Sequence, residues 1–168
     1  IGTDGRSSKA LLEAEYGVET ASAFGTAWIA SSRALKSEGL AVKPRVTDLL
    51  DFLETRGLPR AVATSSGRGS AESSLAVTGL ANRFLTVVTR DCVTRAKPLP
   101  EPYLTTAARL DVDPARCLVF EDSTHGAKAG RAAGMTVVLV PDLAPVEPGQ
   151  AHHVADDVWQ GARLAGLV

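Results

Sequence analysis

Short apolar runs separated by helical segments are the feature that most constrains the fold of this 168-residue chain. The runs are too short for buried helices, and their continuous apolar character is typical of strands buried on both faces. They occupy residues 61–63, 84–88, 117–120 and 135–140. Helical patterns occupy residues 47–56, 69–77, 102–110 and 126–133. Strands joined by helices indicate an α/β fold, so the sequence predicts a doubly wound parallel sheet.

The first part of the chain has a different pattern, with helical periodicity and no strand. The two helical segments cover residues 8–16 and 20–38. Phe24 and Trp28 fall on one apolar stripe of the second segment. We therefore predict a small, partial helical cap over residues 1–42 that packs on an α/β core over residues 43–168.

Composition and charge argue against several classes of partner. Hydrophobic residues make up 45% of the chain and the formal net charge is −1, which disfavours nucleic acid and anionic membranes. The longest apolar stretch, residues 135–141, is far shorter than the ~20 residues that span a bilayer. Cys92 and Cys117 have no C-x-x-C spacing, and we expect both to be small buried side chains. These features predict a soluble, cytoplasmic protein.

The residues after the first predicted strand form a candidate anion site. Thr64, Ser65 and Ser66 carry hydroxyl groups, and Gly67-Arg68 opens the next helix. Helix N-termini present unpaired N–H groups and a positive dipole, so Thr64 and the neighbouring amides are predicted to hold a phosphate oxygen. An ordinary N-cap is the alternative for this segment taken alone.

Lys97 opens a proline-rich segment after the second predicted strand. The segment 97–103 reads Lys-Pro-Leu-Pro-Glu-Pro-Tyr, and its alternating prolines predict an extended backbone that ends in a helix. A lysine rooted in this way can place its ammonium group between a phosphoryl oxygen and a carboxylate. A solvated loop lysine is the alternative.

Two adjacent carboxylates, Glu121 and Asp122, follow the third predicted strand. Unpaired acids would be costly at the end of an apolar strand, and a hard cation with oxygen ligands would compensate them. The pair therefore predicts a Mg²⁺ site. The next helix is rich in glycine and alanine, which lets it lie close to the sheet.

These three segments, in this order, resemble the second, third and fourth motifs of the haloacid dehalogenase superfamily. The resemblance rests on Thr64, on Lys97 in its proline frame, and on Glu121-Asp122-Ser123 with Gly126 and Ala133-Gly134-Met135. It covers essentially the whole chain, because the opening helices are similar to a family cap. The most similar subgroup contains beta-phosphoglucomutase, small sugar phosphatases and phosphoglycolate phosphatase.

The resemblance implies Mg²⁺-dependent phosphoryl transfer through an aspartyl-phosphate, by a phosphatase or a sugar-phosphate mutase. It implies that Lys97 and Thr64 are catalytic and that Asp122, with Glu121, binds the metal directly or through water. The implied contacts to a small phosphorylated substrate are Thr64, Ser65, Ser66, Arg68 and the cap residue Arg6.

The family's nucleophile, the first aspartate of an Asp-x-Asp-Gly-Thr motif on the central strand, has no counterpart in this sequence. Residues 2–5, Gly-Thr-Asp-Gly, lack the leading aspartate, and we interpret them as a turn that enters the cap. The core is therefore expected to lack its first strand, and the chain to be inactive alone and monomeric when complete.

Two other functions stay open at this point. A catalytically inactive phosphate-binding or regulatory module would share the fold. A flavodoxin-like or nucleotide-binding domain would use residues 64–69 as its phosphate loop, although the sequence has no G-x-G-x-x-G or G-K-[ST] motif.

Overall fold

The computed structural model describes residues 5–37, 39–142, 147 and 149–168. Residues 2–4 of the predicted entry turn lie outside this range, and Gly5 is already the first residue of a helix. None of the helices that the structure describes combines the length and the apolar character that a membrane span requires.

The described residues form seven α-helices and five strands. The helices are α1 (Gly5–Tyr16), α2 (Val18–Ser37), α3 (Val46–Thr55), α4 (Arg68–Val77), α5 (Glu101–Leu110), α6 (Thr124–Ala132) and α7 (Val158–Leu164). The strands are β1 (Ala61–Ala63), β2 (Thr86–Val88), β3 (Leu118–Glu121), β4 (Thr136–Leu139) and β5 (His153–Val154). Every strand pair is parallel, which confirms the predicted α/β fold.

Element order follows the sequence prediction closely, and most boundaries differ by one or two residues. The two-residue strand β5 was not predicted, because so short a segment shows no hydrophobic period. It pairs with β4, and the Nδ1 atom of His152, just before it, accepts a hydrogen bond from the Val137 N–H at 3.0 Å.

The predicted apolar stripe of the cap faces solvent in the described chain. Phe24 and Trp28 stack on each other with ring centroids 6.2 Å apart, yet they are 53% and 65% exposed. Helices α1 and α2 pack against each other, and α2 also contacts α4. The division at residues 42 and 43 remains a prediction.

The strands form two separate parallel sheets, although the sequence predicted one. β1 pairs with β2, and β4 lies between β3 and β5. In a parallel pair of strands, only every second residue directs its backbone N–H and C=O groups toward the neighbouring strand. Thr64 donates to the Val88 carbonyl at 2.9 Å, so Ala63 turns its backbone groups away from β2.

The edge of β3 is open in the same way. The N–H of Val140 donates to the Glu121 carbonyl at 2.7 Å, so Phe120 turns its backbone groups away from β4. Among the described residues, neither β1 nor β3 has a second strand partner. A cleft lined by residues of both strands therefore separates two open sheet edges.

The core lies around β4 and fixes the position of α6. Val137, Val138 and Leu139 are at most 1% exposed. A Cβ atom added at Gly130 would lie 2.8 Å from the Val137 side chain, so the glycine allows α6 to approach the sheet closely. This close packing confirms the expected small-residue face and supports the loop between β3 and α6, where the acidic pair lies.

Candidate active site

The cleft between the two sheets has a volume of about 570 Å³ and opens at the carboxyl ends of β1 and β3. Its polar lining residues are Lys43, Thr64, Ser65, Ser66, Lys97, Glu121, Asp122 and Ser123. Six of the eight predicted site residues therefore share one cleft. Parallel α/β sheets bind their ligands at this end of the strands.

Lys97 connects the two sheets. Its ammonium group donates to the Ala63 carbonyl at 3.1 Å, at the end of β1, and also contacts the carboxylate of Glu121, at the end of β3. The side chains of Lys97 and Glu121 are only 8% and 7% exposed. Lys97 is therefore a buried and paired charge, and the solvated-loop alternative does not describe its position.

Glu121 is surrounded by donors that the sequence reasoning did not identify. Tyr103 donates its hydroxyl to Oε1, and Ser123 donates to Oε2 at 3.2 Å. Ser123 also caps α6, since its Oγ accepts the N–H of Gly126 at 3.1 Å. Burial and the negative charge of Glu121 raise the pKa of Tyr103 well above its ordinary value, so Tyr103 stays a donor.

Asp122 differs from Glu121 in being exposed. In the part of the chain that the structure describes, no hydrogen bond or ion pair engages its carboxylate. Its oxygens are therefore available to a ligand in the cleft.

The donor set fits a hard cation, though not a complete protein cage. Asp122 offers a free carboxylate and Glu121 keeps acceptor capacity on Oε2, which suits Mg²⁺ bound by one or two carboxylates, water and phosphate. The described residues contain no cluster of three or more histidine, cysteine, aspartate or glutamate side chains that could hold a metal. Further ligands would have to come from water, substrate or another segment.

The threonine–serine loop lies at the cleft, but two of the amides predicted to hold a phosphate already have partners. The Oγ1 atom of Thr64 accepts the N–H of Ser66 at 3.1 Å. The N-cap of α4 is Gly67, which has no side chain to cap with, and the N–H of Arg68 donates to Asp91 at 2.7 Å. Asp91 thus satisfies a helix N-terminal amide that the sequence assigned to phosphate.

Arg68 is not among the residues that line the cleft. Its guanidinium lies 3.5 Å from Glu72 Oε1 and 3.6 Å from the Cys92 sulfur. Cys92 is partly exposed, and a hydrogen bond from Thr89 lowers the pKa of its thiol to about 7. Arg6 lies in α1, but its side chain is outside the part of the chain that the structure describes.

The segment around Lys97 is a turn, whereas the sequence predicted an extended backbone. The N–H of Leu99 donates to the Ala96 carbonyl at 3.0 Å, and the Lys97–Pro98 peptide bond is cis. Leu99 lies between two prolines that lack an N–H group, so it is the residue that can close the turn. Glu101 fixes the preceding loop, since its carboxylate accepts the N–H groups of Thr94 at 2.8 Å and Arg95 at 3.1 Å.

Open α/β sheets bind their ligands at the carboxyl ends of the strands. This fold and the position of its cleft belong to that class of protein. Within that class, residues 7–140 match the haloacid dehalogenase-like hydrolase family, so the chain belongs to this family. The family resemblance stated from the motifs is therefore confirmed.

Two curated relatives are phosphatases. The chain is 41% identical over 110 residues to a bifunctional riboflavin kinase/FMN phosphatase of Arabidopsis thaliana, which covers 65% of this chain and 28% of that protein. It is 46% identical over 82 residues to the fructose-1-phosphate phosphatase YqaB of Escherichia coli, which covers 49% of this chain and 44% of that protein. The chain thus spans less than half the length of either relative.

The fold is also similar to that of a crystallised protein with a bound sugar bisphosphate. A mutant of CbbY from Rhodobacter sphaeroides in complex with xylulose-(1,5)bisphosphate superposes with a TM-score of 0.72 at 29% sequence identity. The similarity covers 80% of this chain and 62% of that one.

Proposed function

We propose that this chain carries the phosphate-binding and Mg²⁺-binding part of a site that removes or transfers the phosphoryl group of a small phosphorylated metabolite. Membership of the hydrolase family and the similarity to a fructose-1-phosphate phosphatase support this class of substrate. The free cysteines are consistent with a reducing compartment, and we propose the cytoplasm.

The position of Lys97 is the observation that carries the proposal. A buried ammonium group at a cleft, held by one carbonyl and one carboxylate, would neutralise negative charge on a phosphoryl group bound there. Burying a charge pair costs desolvation free energy, and this cost supports a functional role for the pair.

Five more cleft residues have a part in this proposal. Thr64 would donate its hydroxyl to a phosphoryl oxygen, and Ser65 and Ser66 would contact the same group from the loop. Asp122 would bind Mg²⁺, with Glu121 as a direct or water-mediated ligand. When bound, the metal supplies Lewis-acid stabilisation of the phosphoryl oxygens.

The nucleophile would be an aspartate outside residues 1–168, on an extended segment in the cleft between β1 and β3. The open edges of the two sheets support this location, because a parallel strand between them would pair with both. The aspartate oxygen would bond to phosphorus while the bond to the substrate oxygen breaks and that oxygen takes up a proton. Water would then hydrolyse the aspartyl-phosphate to aspartate and inorganic phosphate.

Asp122→Asn tests the proposal in a protein that also contains the aspartate-bearing segment proposed to lie between β1 and β3. Turnover is assayed with a panel of phosphate monoesters. We expect turnover to fall by orders of magnitude and the apparent affinity for Mg²⁺ to weaken, with an unchanged fold. Asp48→Asn, at an exposed aspartate in α3, is the matched control. Unchanged turnover and Mg²⁺ dependence in Asp122→Asn would remove Asp122 from the site.

Lys97→Ala gives an independent test of the same site. We expect a loss of about 10²-fold or more in turnover, as is typical when a positioned electrostatic group is removed. Near-normal turnover would show that Lys97 does not act on the phosphoryl group.

Arg6, in the predicted cap, is proposed to bind a second anionic group of the substrate. The sugar bisphosphate bound to the related CbbY structure supports such substrates in the wider family. Arg6→Ala should then raise KM more for a bisphosphate than for a plain monophosphate, and equal effects would exclude this role. The side-chain contacts of Arg68 make it a less favourable candidate for the same task.

A non-catalytic phosphate-binding module is the second candidate. The observation that favours it is that the cleft, in the described residues, contains no carboxylate besides Glu121 and Asp122. Phosphate binding without turnover, even when the cleft is filled by an aspartate-bearing segment, would support this function over the first.

A further inference from the structure

Tyr103 contacts both members of the buried charge pair. The residue lies in α5 and is 5% exposed. Its ring centroid is 4.8 Å from the Lys97 ammonium nitrogen, and its hydroxyl donates to Oε1 of Glu121. The same carboxylate oxygen contacts Lys97, so three side chains meet at one point.

Both contacts of Tyr103 stabilise the ion pair of Lys97 and Glu121. The ring face attracts the ammonium group through its quadrupole, and this attraction strengthens when the cation is shielded from water. The hydroxyl supplies a hydrogen bond that a buried carboxylate needs in addition to its ionic partner. Because a phenol is rigid and held by core packing, both contacts restrict where the ammonium group can lie.

We propose that Tyr103 is a positioning residue, which holds Lys97 and Glu121 in the geometry that receives the phosphoryl group. This inference rests on the proposed function of the cleft. Tyr103 does not line the cleft itself, so it acts through Lys97 and Glu121.

Chemical labelling of the lysines tests this role in the 168-residue chain without any need for turnover. Acetic anhydride in trace amounts acetylates only unprotonated amines, so burial and an ion pair that keeps an amine protonated both slow the reaction. Mass spectrometry of peptides gives a relative rate for each lysine. Lys9 and Lys128 are internal references, since their side chains are 61% and 41% exposed. We expect Lys97 to be the slowest of the three.

Tyr103→Phe keeps the ring and removes only the hydroxyl. Its expected effect is a rise of about tenfold in the labelling rate of Lys97, the change that corresponds to one lost hydrogen bond to a charged group. The rates at Lys9 and Lys128 should not change. Tyr103→Leu also removes the ring and should raise the Lys97 rate further.

Two controls separate positioning from general loosening. Tyr16→Phe makes the same chemical change at an exposed tyrosine and should leave Lys97 unaffected. Leu50→Val weakens core packing in α3, which contributes no residue to the cleft lining, and should likewise leave the Lys97 rate unchanged. An unchanged Lys97 rate in Tyr103→Phe, or an equal rise in Leu50→Val, would overturn the proposal.

Inorganic phosphate with Mg²⁺ distinguishes failure of this inference from failure of the proposed function. If the cleft binds phosphate, both together should slow the labelling of Lys97 in the wild type, and less so in Tyr103→Phe. Absence of protection, combined with faster labelling in Tyr103→Phe, would contradict phosphate binding while retaining the effect of Tyr103 on Lys97. Equal protection in both proteins would contradict the positioning role.

Discussion

Gly126 makes room for the carboxylate of Glu121. A Cβ atom at position 126 would overlap the Glu121 carboxyl group, which Lys97, Tyr103 and Ser123 hold in place. The glycine is therefore part of the site, although it carries no functional group. Its position in the first turn of α6 alone would not reveal this constraint.

Gly126→Ala should destabilise the protein although alanine is the better helix former. The helix propensity gain is at most ~1 kcal/mol, whereas overpacking in a well-packed site costs about 1–3 kcal/mol. We therefore expect a lower free energy of unfolding in urea. Gly25→Ala in α2 meets no atom within 4 Å and is the matched control, expected to be neutral or stabilising. Equal behaviour of the two variants would mean that Glu121 can move without cost.

The two cysteines should differ in reactivity. The hydrogen bond from Thr89 lowers the pKa of Cys92 to about 7, while burial raises the pKa of Cys117. Because only the thiolate is alkylated, Cys92 should react with iodoacetamide with a pH midpoint near 7 and Cys117 only at more alkaline pH. Thr89→Val should move the Cys92 midpoint upward. A common midpoint, measured by mass spectrometry, would contradict this assignment.

The expectation that both cysteines are buried was wrong, since both are partly exposed.

At the scale of elements, the loop before α5 depends on Glu101. Its carboxylate accepts hydrogen bonds from Thr94 and Arg95, and these bonds lower its pKa to about 2. A carboxyl group with a lowered folded-state pKa stabilises the protein above its unfolded-state pKa and loses that effect as the pH falls through the folded-state value. The stabilisation by Glu101 should therefore be complete above a pH of about 4.5 and be lost toward about 2.

Glu101→Gln tests this dependence. The difference in free energy of unfolding between wild type and Glu101→Gln should be largest near neutral pH and should shrink as the pH is lowered below about 4.5. Urea titrations at several pH values measure it, and Glu72→Gln, at an exposed i,i+4 pair, is the control. If the difference in free energy of unfolding stayed constant from neutral to acidic pH, the carboxylate of Glu101 would not stabilise this loop.

Much of the element order could be predicted because the hydrophobic patterns are local. The runs near β3 and β4 are bounded by glycine, proline or charged residues, the run near β1 lies between Arg60 and Thr64, and the structure places strands at all three. The contact between Tyr103 and Glu121 could not be predicted in the same way. It joins residues that are 18 positions apart and depends on how α5 packs on the sheet. The turn at Lys97 was missed because proline spacing alone does not distinguish an extended segment from a turn that Leu99 closes.

At the scale of the whole molecule, the open cleft predicts how the chain should behave alone. In the proposed reaction, the residues that line it would bind a phosphate, and the nucleophile would lie outside them. The 168-residue chain should therefore show no phosphatase turnover. The edges of β1 and β3, which have no second strand partner among the described residues, should also make it poorly stable or prone to aggregate.

Adding a separate polypeptide that carries an apolar strand followed by an aspartate should restore activity. Both pieces would be purified, mixed with Mg²⁺ and assayed with a phosphate monoester, with the aspartate-to-asparagine peptide as control. Turnover that appears only on mixing with the aspartate peptide would support the cleft as the location of the nucleophile. Turnover by the unmixed chain that survives repurification, and that Asp122→Asn abolishes, would show that residues 1–168 contain the nucleophile.

The bridge that Lys97 forms between the two sheets has a consequence for the order of events in time. Since the ammonium group already spans the end of β1 and the carboxylate of Glu121, the charged part of the site exists before any segment enters the cleft. An arriving strand would not have to order these side chains, and a preorganised receptor loses less conformational entropy on association. The remaining entropic cost would fall on the incoming segment, so stiffening that segment in its extended form should strengthen its association.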